Sequence, residues 1–226
     1  MENIKNGILW VLHNVLDILA PVPCVGCKKR GEIICDNCIE TLRQAERETE
    51  GNIMACFDYR DEIMRKAIWS LKYYRHFSIG NKLGRLLYEN MLEEISELEI
   101  YTMGSPILVI PVPISKSKNK TRGYNQAEKI ARSFCNSSPK KIFELRNNIV
   151  LKIKDTLPQA KISNRNKRLK NVQGIFSINE KYKNSLKSRT VLIVDDVTTT
   201  GGTITEIMKI LKKNGVKKVI GLAVAH

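Results

Sequence analysis

The segment Val191-Leu192-Ile193-Val194-Asp195-Asp196-Val197-Thr198-Thr199-Thr200-Gly201-Gly202-Thr203 holds the most legible chemistry in this 226-residue chain. An apolar strand runs into two carboxylates, then into a hydroxyl- and glycine-rich turn, then into a helical stripe. A helix N-terminus preceded by glycines offers free N–H groups and a positive dipole end to a phosphate. Gly201 and Gly202 permit close backbone approach, and Thr198, Thr199, Thr200 and Thr203 add hydroxyls. Asp195 and Asp196 would repel a phosphate that they faced directly. They suit the hydroxyls of a sugar, or a magnesium ion held through water. The bland alternative is an acidic turn with an ordinary N-cap. A Walker-type nucleotide loop is excluded, because no Gly-Lys-Ser/Thr follows the strand.

Four of the six cysteines are spaced Cys24-x2-Cys27-x7-Cys35-x2-Cys38. Two short Cys-x-x-Cys knuckles, one with Gly26 inside it, let paired thiolates converge on a tetrahedral ion, and zinc is the usual occupant of a four-thiolate site. A pair of redox dithiols is the competing reading, but no thioredoxin-like strand and helix surround them. Cys56, in the apolar run 53–57, reads as a small buried hydrophobe.

The charge balance adds a third feature. The chain carries 38 basic and 23 acidic side chains, a net +15. Residues 107–189 hold 20 of the cations and 4 of the anions, so the surplus lies in one stretch. Within it, Lys116, Lys118, Lys120 and Arg122 form one cluster and Arg165, Lys167 and Arg168 another. Such clusters attract phosphates of pyrophosphate or of nucleic acid. A solvated basic surface is the plain alternative. Lys72 and Arg75 end a predicted helix, where they either complete an anion site or compensate the helix dipole.

The elements that must position these groups follow from periodicity. Met64, Ala67, Ile68 and Leu71 mark an amphipathic helix, and a second is expected over 79–98. Residues 53–57, 107–112, 191–194 and 219–224 read as buried strands, with weaker ones at 149–153 and 174–178. Helices are expected over 124–135 and through the stripe Ile204, Ile207, Met208 and Leu211, stopping at Gly215. Strands alternating with helices define an α/β domain with a mainly parallel sheet. The expected division is a helix and four-cysteine module over 1–50 and the α/β domain over 51–226. The 42% hydrophobic content supports a packed core and excludes a disordered or collagen-like chain.

The apolar residues 4–20 are interrupted by His13, Asn14 and Asp17, fall short of the roughly 20 that a span needs, and lack a cleavage site. They read as an amphipathic helix ending before Pro21, and a cytoplasmic location is the expectation.

The 191–203 pattern resembles the signature of type I phosphoribosyltransferases, which bind phosphoribosyl pyrophosphate (PRPP). By that resemblance Asp195 and Asp196 hold the ribose hydroxyls and the segment Val197 to Thr203 cradles the 5′-phosphate. The segment after Pro111-Val112-Pro113 takes the position of the pyrophosphate loop, followed by a mobile basic segment. Taken with the Cys-x-x-Cys pair, Leu71-Lys72-Tyr73, Arg122-Gly123-Tyr124-Asn125-Gln126-Ala127 and Asn171-Val172-Gln173-Gly174-Ile175-Phe176, the whole chain resembles the competence protein F family. The resemblance implies a phosphoribosyltransferase fold, zinc, uptake of single-stranded DNA during natural transformation, and association with a helicase-like ATPase. The chain departs from the family in having Tyr74-Arg75-His76 where a small glycine-containing turn is usual.

Two alternatives stand beside DNA uptake: an active PRPP-dependent transferase using magnesium, and a regulator that senses PRPP without turnover. A glutamine-dependent amidophosphoribosyltransferase is disfavoured, since the first cysteine is the metal-ligand candidate Cys24. The roughly 50 residues ahead of the α/β domain are also too few for a glutaminase. No general acid or base and no acceptor-recognising segment is legible.

Overall fold

The computed structural model describes residues 22–45, 52–74, 76–154 and 172–226. The expected helix over 4–20, Arg75, and the second basic cluster with Arg165, Lys167 and Arg168 lie outside the described residues. Five strands form one all-parallel sheet: β1 (Ile53–Phe57), β2 (Ile107–Pro111), β3 (Phe143–Leu145), β6 (Thr190–Val197) and β7 (Lys218–Ala225), in the spatial order β1-β7-β6-β2-β3. A small antiparallel pair, β4 (Val150–Lys152) with β5 (Phe176–Ile178), stands apart from it.

Side-chain alternation explains why the sheet is covered on both faces. Along β6, Leu192 and Val194 enter one apolar cluster while Val191 and Ile193 enter another; β2 divides the same way, with Ile107 and Val109 against Leu108 and Ile110. The first cluster is closed by α2 (Glu62–Tyr73), α3 (Phe77–Asn90) and α6 (Gln126–Ser137), the second by α7 (Gly202–Lys213) and the β4–β5 pair. Burying each large aliphatic side chain contributes about 1.5–3 kcal/mol. The cysteine module joins the first cluster, with Ile34 and Cys24 fully buried and Leu42 nearly so. A one-turn helix, α1 (Asp36–Glu40), presents Cys38 inward.

Two differences from the periodicity have physical reasons. The predicted helix 79–98 is two helices, α3 and α4 (Leu92–Thr102), because the buried Met91 takes φ −115° and ψ 18° and ends the first axis. The basic segment expected to be mobile is a helix, α5 (Lys116–Arg122), capped by Ser115 accepting from the Lys118 N–H and stopped by Gly123 at φ 78°. It buries no residue, so it has no apolar stripe to announce it. α3 and α6 cross closely at Gly84, where a Cβ would stand 2.4 Å from the Ile130 carbonyl oxygen and 2.6 Å from the Ser133 Cβ.

Candidate functional site

Every strand of the parallel sheet runs the same way, so their carboxyl ends share one edge, and β6 lies at its centre. Ligands bind outside that edge in open α/β sheets. The loop after β6 starts there: the Thr198 N–H donates to the Ala225 carbonyl at 2.9 Å, and a ring nitrogen of His226 lies 3.0 Å from the Thr199 carbonyl oxygen. Gly201 takes φ 68° and opens α7, with Gly202 as its first residue. The glycine serves two needs at once, since a Cβ at Gly201 would also meet the Ile53 side chain at 2.9 Å. The Thr200 hydroxyl is buried beside this helix start and has no hydrogen-bond partner. An orphaned buried hydroxyl costs about 1–3 kcal/mol, so its retention calls for a ligand acceptor.

The two carboxylates have distinct settings. Asp195 Oδ1 accepts from the Asp196 N–H at 2.8 Å, and Asp196 Oδ1 accepts from the Val197 N–H at 2.8 Å, which fixes both side chains against the strand end. Asp196 is buried, and its Oδ2 lies 3.0 Å from Lys72 Nζ in a salt bridge. Burial works to lower the Lys72 pKa, but the carboxylate of Asp196, with help from Asp195, outweighs it and raises the amine. Burial and then the Asp196 charge push the Asp195 carboxyl well above the ordinary range. A cation or a pair of sugar hydroxyls would relieve that strain, which fits both magnesium and ribose.

The sequence Arg122-Gly123-Tyr124-Asn125-Gln126-Ala127 builds the junction beside the loop. Arg122 donates to Gln126 Oε1 at 3.0 Å; Gly123 ends α5; the buried Tyr124 hydroxyl donates to the Leu71 carbonyl at the end of α2. Asn125 caps α6 through the Ala127 N–H at 3.1 Å and ties it to β2 by donating to the Val112 carbonyl at 3.0 Å. The Val112 N–H in turn donates to Val194 of β6. Lys116 and Lys120 point outward from α5, exposed, while Lys118 and Arg122 are half-buried. The structure thus joins Lys72, Asp195, Asp196 and the 198–203 loop, with Arg122 on the adjacent element.

At the module, the sulfurs of Cys24, Cys27, Cys35 and Cys38 all lie within 4.8 Å of one another. Four thiolates at about 2.3 Å from a central ion are the standard structural zinc set, and this donor set fits zinc. The Cys35 N–H donates to Cys24 Sγ at 3.5 Å. Burial opposes ionisation of Cys24, but N–H groups of Cys35, Cys27 and Gly26 overcome it and bring the thiol down to about 6. Gly26 is required on steric grounds, as its Cβ would stand 2.7 Å from Cys38 Sγ.

Three features escaped sequence reasoning. Asp58, just past β1, is buried and gathers Arg60 at 3.0 Å and Arg43 at 3.4 Å. The Tyr124–Leu71 link could be found only in three dimensions. Trp69 and Tyr73 on α2, and Tyr74 just past its end, are exposed; their position off the Met64–Leu71 stripe was the available signal.

The phosphoribosyl transferase domain model matches residues 120–226, which include α6, β6, the glycine-containing loop 198–203 and α7. Together with the all-parallel sheet, this defines a protein of phosphoribosyltransferase fold carrying an N-terminal four-cysteine cluster. Among curated proteins, the chain is 33% identical over 206 residues to Competence protein F of Haemophilus influenzae, covering 87% of this chain and 86% of that protein. It is also 28% identical over 149 residues to DNA utilization protein YhgH of Escherichia coli K12, covering 66% of this chain and 60% of that one. The chain belongs to the competence protein F family. Among the described residues no helix is long and apolar enough to cross a membrane.

Proposed function

We propose that the chain handles single-stranded DNA during natural transformation, with a phosphoribosyltransferase-type site that binds PRPP or a related sugar phosphate and a structural zinc ion in its four-cysteine module. One observation carries the reading: Lys72 reaches Asp196 at the end of β6, just before the candidate phosphate loop, while the next residue, Tyr73, lies 5.3 Å beneath the guanidinium of Arg122 on the cationic helix α5. In this reading the sugar-phosphate site and the basic surface are neighbours, joined by α2. Phosphates of a polyanion supply most of the affinity at such a surface, through release of counterions. The names of the relatives, a competence protein and a DNA utilization protein, agree with this reading. The sequence-level expectations of a cytoplasmic location and a helicase-like ATPase partner belong to the same proposal.

Turnover of the sugar phosphate is a second reading. It is favoured by the adjacent carboxylates Asp195 and Asp196, held against the end of β6 by the Asp196 and Val197 N–H groups, a pair that suits sugar hydroxyls or a magnesium ion held through water. Release of pyrophosphate from PRPP, abolished in Asp195→Ala, supports turnover; equal release by both proteins contradicts it.

The test of the main reading separates two processes in cells. Deleting the gene should abolish uptake of transforming DNA and leave nucleotide salvage intact. Normal uptake with impaired salvage would overturn the reading in favour of the transferase.

A further inference from the structure

Helix α2 has three functional sides. Met64, Ala67, Ile68 and Leu71 are buried in the core, Lys72 turns to the phosphate loop, and the remaining side carries Trp69 and Tyr73 one turn apart. These rings are 52% and 58% exposed, and Tyr74 beside them is 67% exposed. The Trp69 and Tyr73 ring centres are 5.0 Å apart with planes inclined at 49°. On one flank a groove of about 380 Å³ runs between α2 and the first cysteine knuckle, lined by Val25, Lys28, Arg65, Lys66, Trp69 and Tyr74. On the other flank stands Arg122 over the Tyr73 ring.

The chemistry of this face is specific. Its groove lining includes three cations and no carboxylate, and one of those cations, Lys66, is paired to Glu62 at 2.7 Å on the same helix. Proteins that hold single strands combine cations tracking the backbone with aromatic rings on which bases stack. The basic stretch 107–189 is poor in aromatic residues, and α2 supplies them at its border. An acidic protein surface would meet the cations but would leave the solvent-exposed faces of these rings unstacked.

We propose that single-stranded nucleic acid lies across this face, from the zinc knuckle over α2 to α5, with bases stacked on Trp69, Tyr73 and Tyr74 and phosphates against Lys28, Arg65 and Arg122. The proposal rests on the reading that the chain binds single-stranded DNA, and adds where. It also places the strand one residue away from the lysine that holds the phosphate loop, so strand and sugar-phosphate binding share a wall.

The chain has two tryptophans, so Trp10→Phe leaves Trp69 as the sole reporter. Titrating the full chain with a deoxythymidine oligomer should quench that fluorescence. Trp69→Ala and Tyr73→Ala should each weaken binding by about tenfold, with Trp69→Phe retaining most of the affinity. Both alanine positions are exposed, so unchanged circular dichroism and melting temperature control for folding. If the wild-type chain binds the oligomer while both alanine variants bind as tightly, the location is overturned and the DNA reading survives. If the wild-type chain fails to bind at low salt, both fall. Unchanged oligomer affinity with loss of a protein partner in Trp69→Ala would assign the face to protein instead.

Discussion

Lys72 Nζ sits 3.0 Å from Asp196 Oδ2, with 19% and 5% of the two side chains exposed. The pair joins the last turn of α2 to the strand end that begins the phosphate loop. Removing one partner of a buried pair leaves the other charge uncompensated. Lys72→Met should therefore cost about 3 kcal/mol in urea unfolding at neutral pH, and Lys72→Met with Asp196→Leu should recover much of the loss. The pH dependence follows from the sign of the shift. The raised lysine contributes stability that is complete below its unfolded value of about 10.4 and lost as pH rises through the folded value. The gap between wild type and Lys72→Met should narrow in alkali.

The orphaned hydroxyl of Thr200 separates binding from stability. Thr200→Val keeps the shape and removes a group that has no partner in the folded chain. Its melting temperature should be equal to or above that of the wild type. Calorimetric titration with magnesium and PRPP should show affinity reduced about tenfold, the worth of a hydrogen bond to a charged group. Wild-type affinity in Thr200→Val would remove this residue from the site.

Asp58 makes the fold acid-sensitive in a defined window. The hydrogen bonds from the Arg60 side chain, and then its N–H, hold the carboxyl down to about 2. Its stabilising contribution is present above the unfolded value of about 3.9 and is lost as pH falls toward 2. Arg60→Ala keeps the backbone bond but loses the guanidinium, so its acid unfolding midpoint, followed by circular dichroism, should move to higher pH.

The proposed zinc site in the four-cysteine module admits a test that leaves all four thiols in place. Gly26→Ala would put a methyl 2.7 Å from Cys38 Sγ. The variant should purify with less than one zinc per chain and release it faster to a chromogenic chelator, although all four thiols remain. Full retention would mean that the knuckle can shift without cost.

What the sequence disclosed divides along physical lines. The α/β class, the four buried strands and the cysteine cluster were legible because each depends on local pattern: apolar runs, helical stripes, and thiols at ligand spacing. The acidic pair and glycine turn were legible too, as types in order. The helix α5 was not, since its stability comes from Ser115 and Gly123 at its ends and not from an apolar face. The split of 79–98 at Met91 was hidden because the apolar stripe continues across the bend. The roles of Lys72 and Tyr124 depend on partners 124 and 53 residues away and on which elements become neighbours, which no local pattern encodes, whereas Asp58 combines the nearby Arg60 with Arg43, 15 residues before it.

The proposed function requires that this chain bind single-stranded DNA through phosphate contacts beside a sugar-phosphate site. Its most direct test is fluorescence anisotropy of a labelled single-stranded oligonucleotide across a salt series. If the four cations of α5 neutralise about four phosphates, affinity should fall by about 50-fold between roughly 50 and 200 mM salt. Affinity that does not change across that range, or no binding at its low end, would contradict the account.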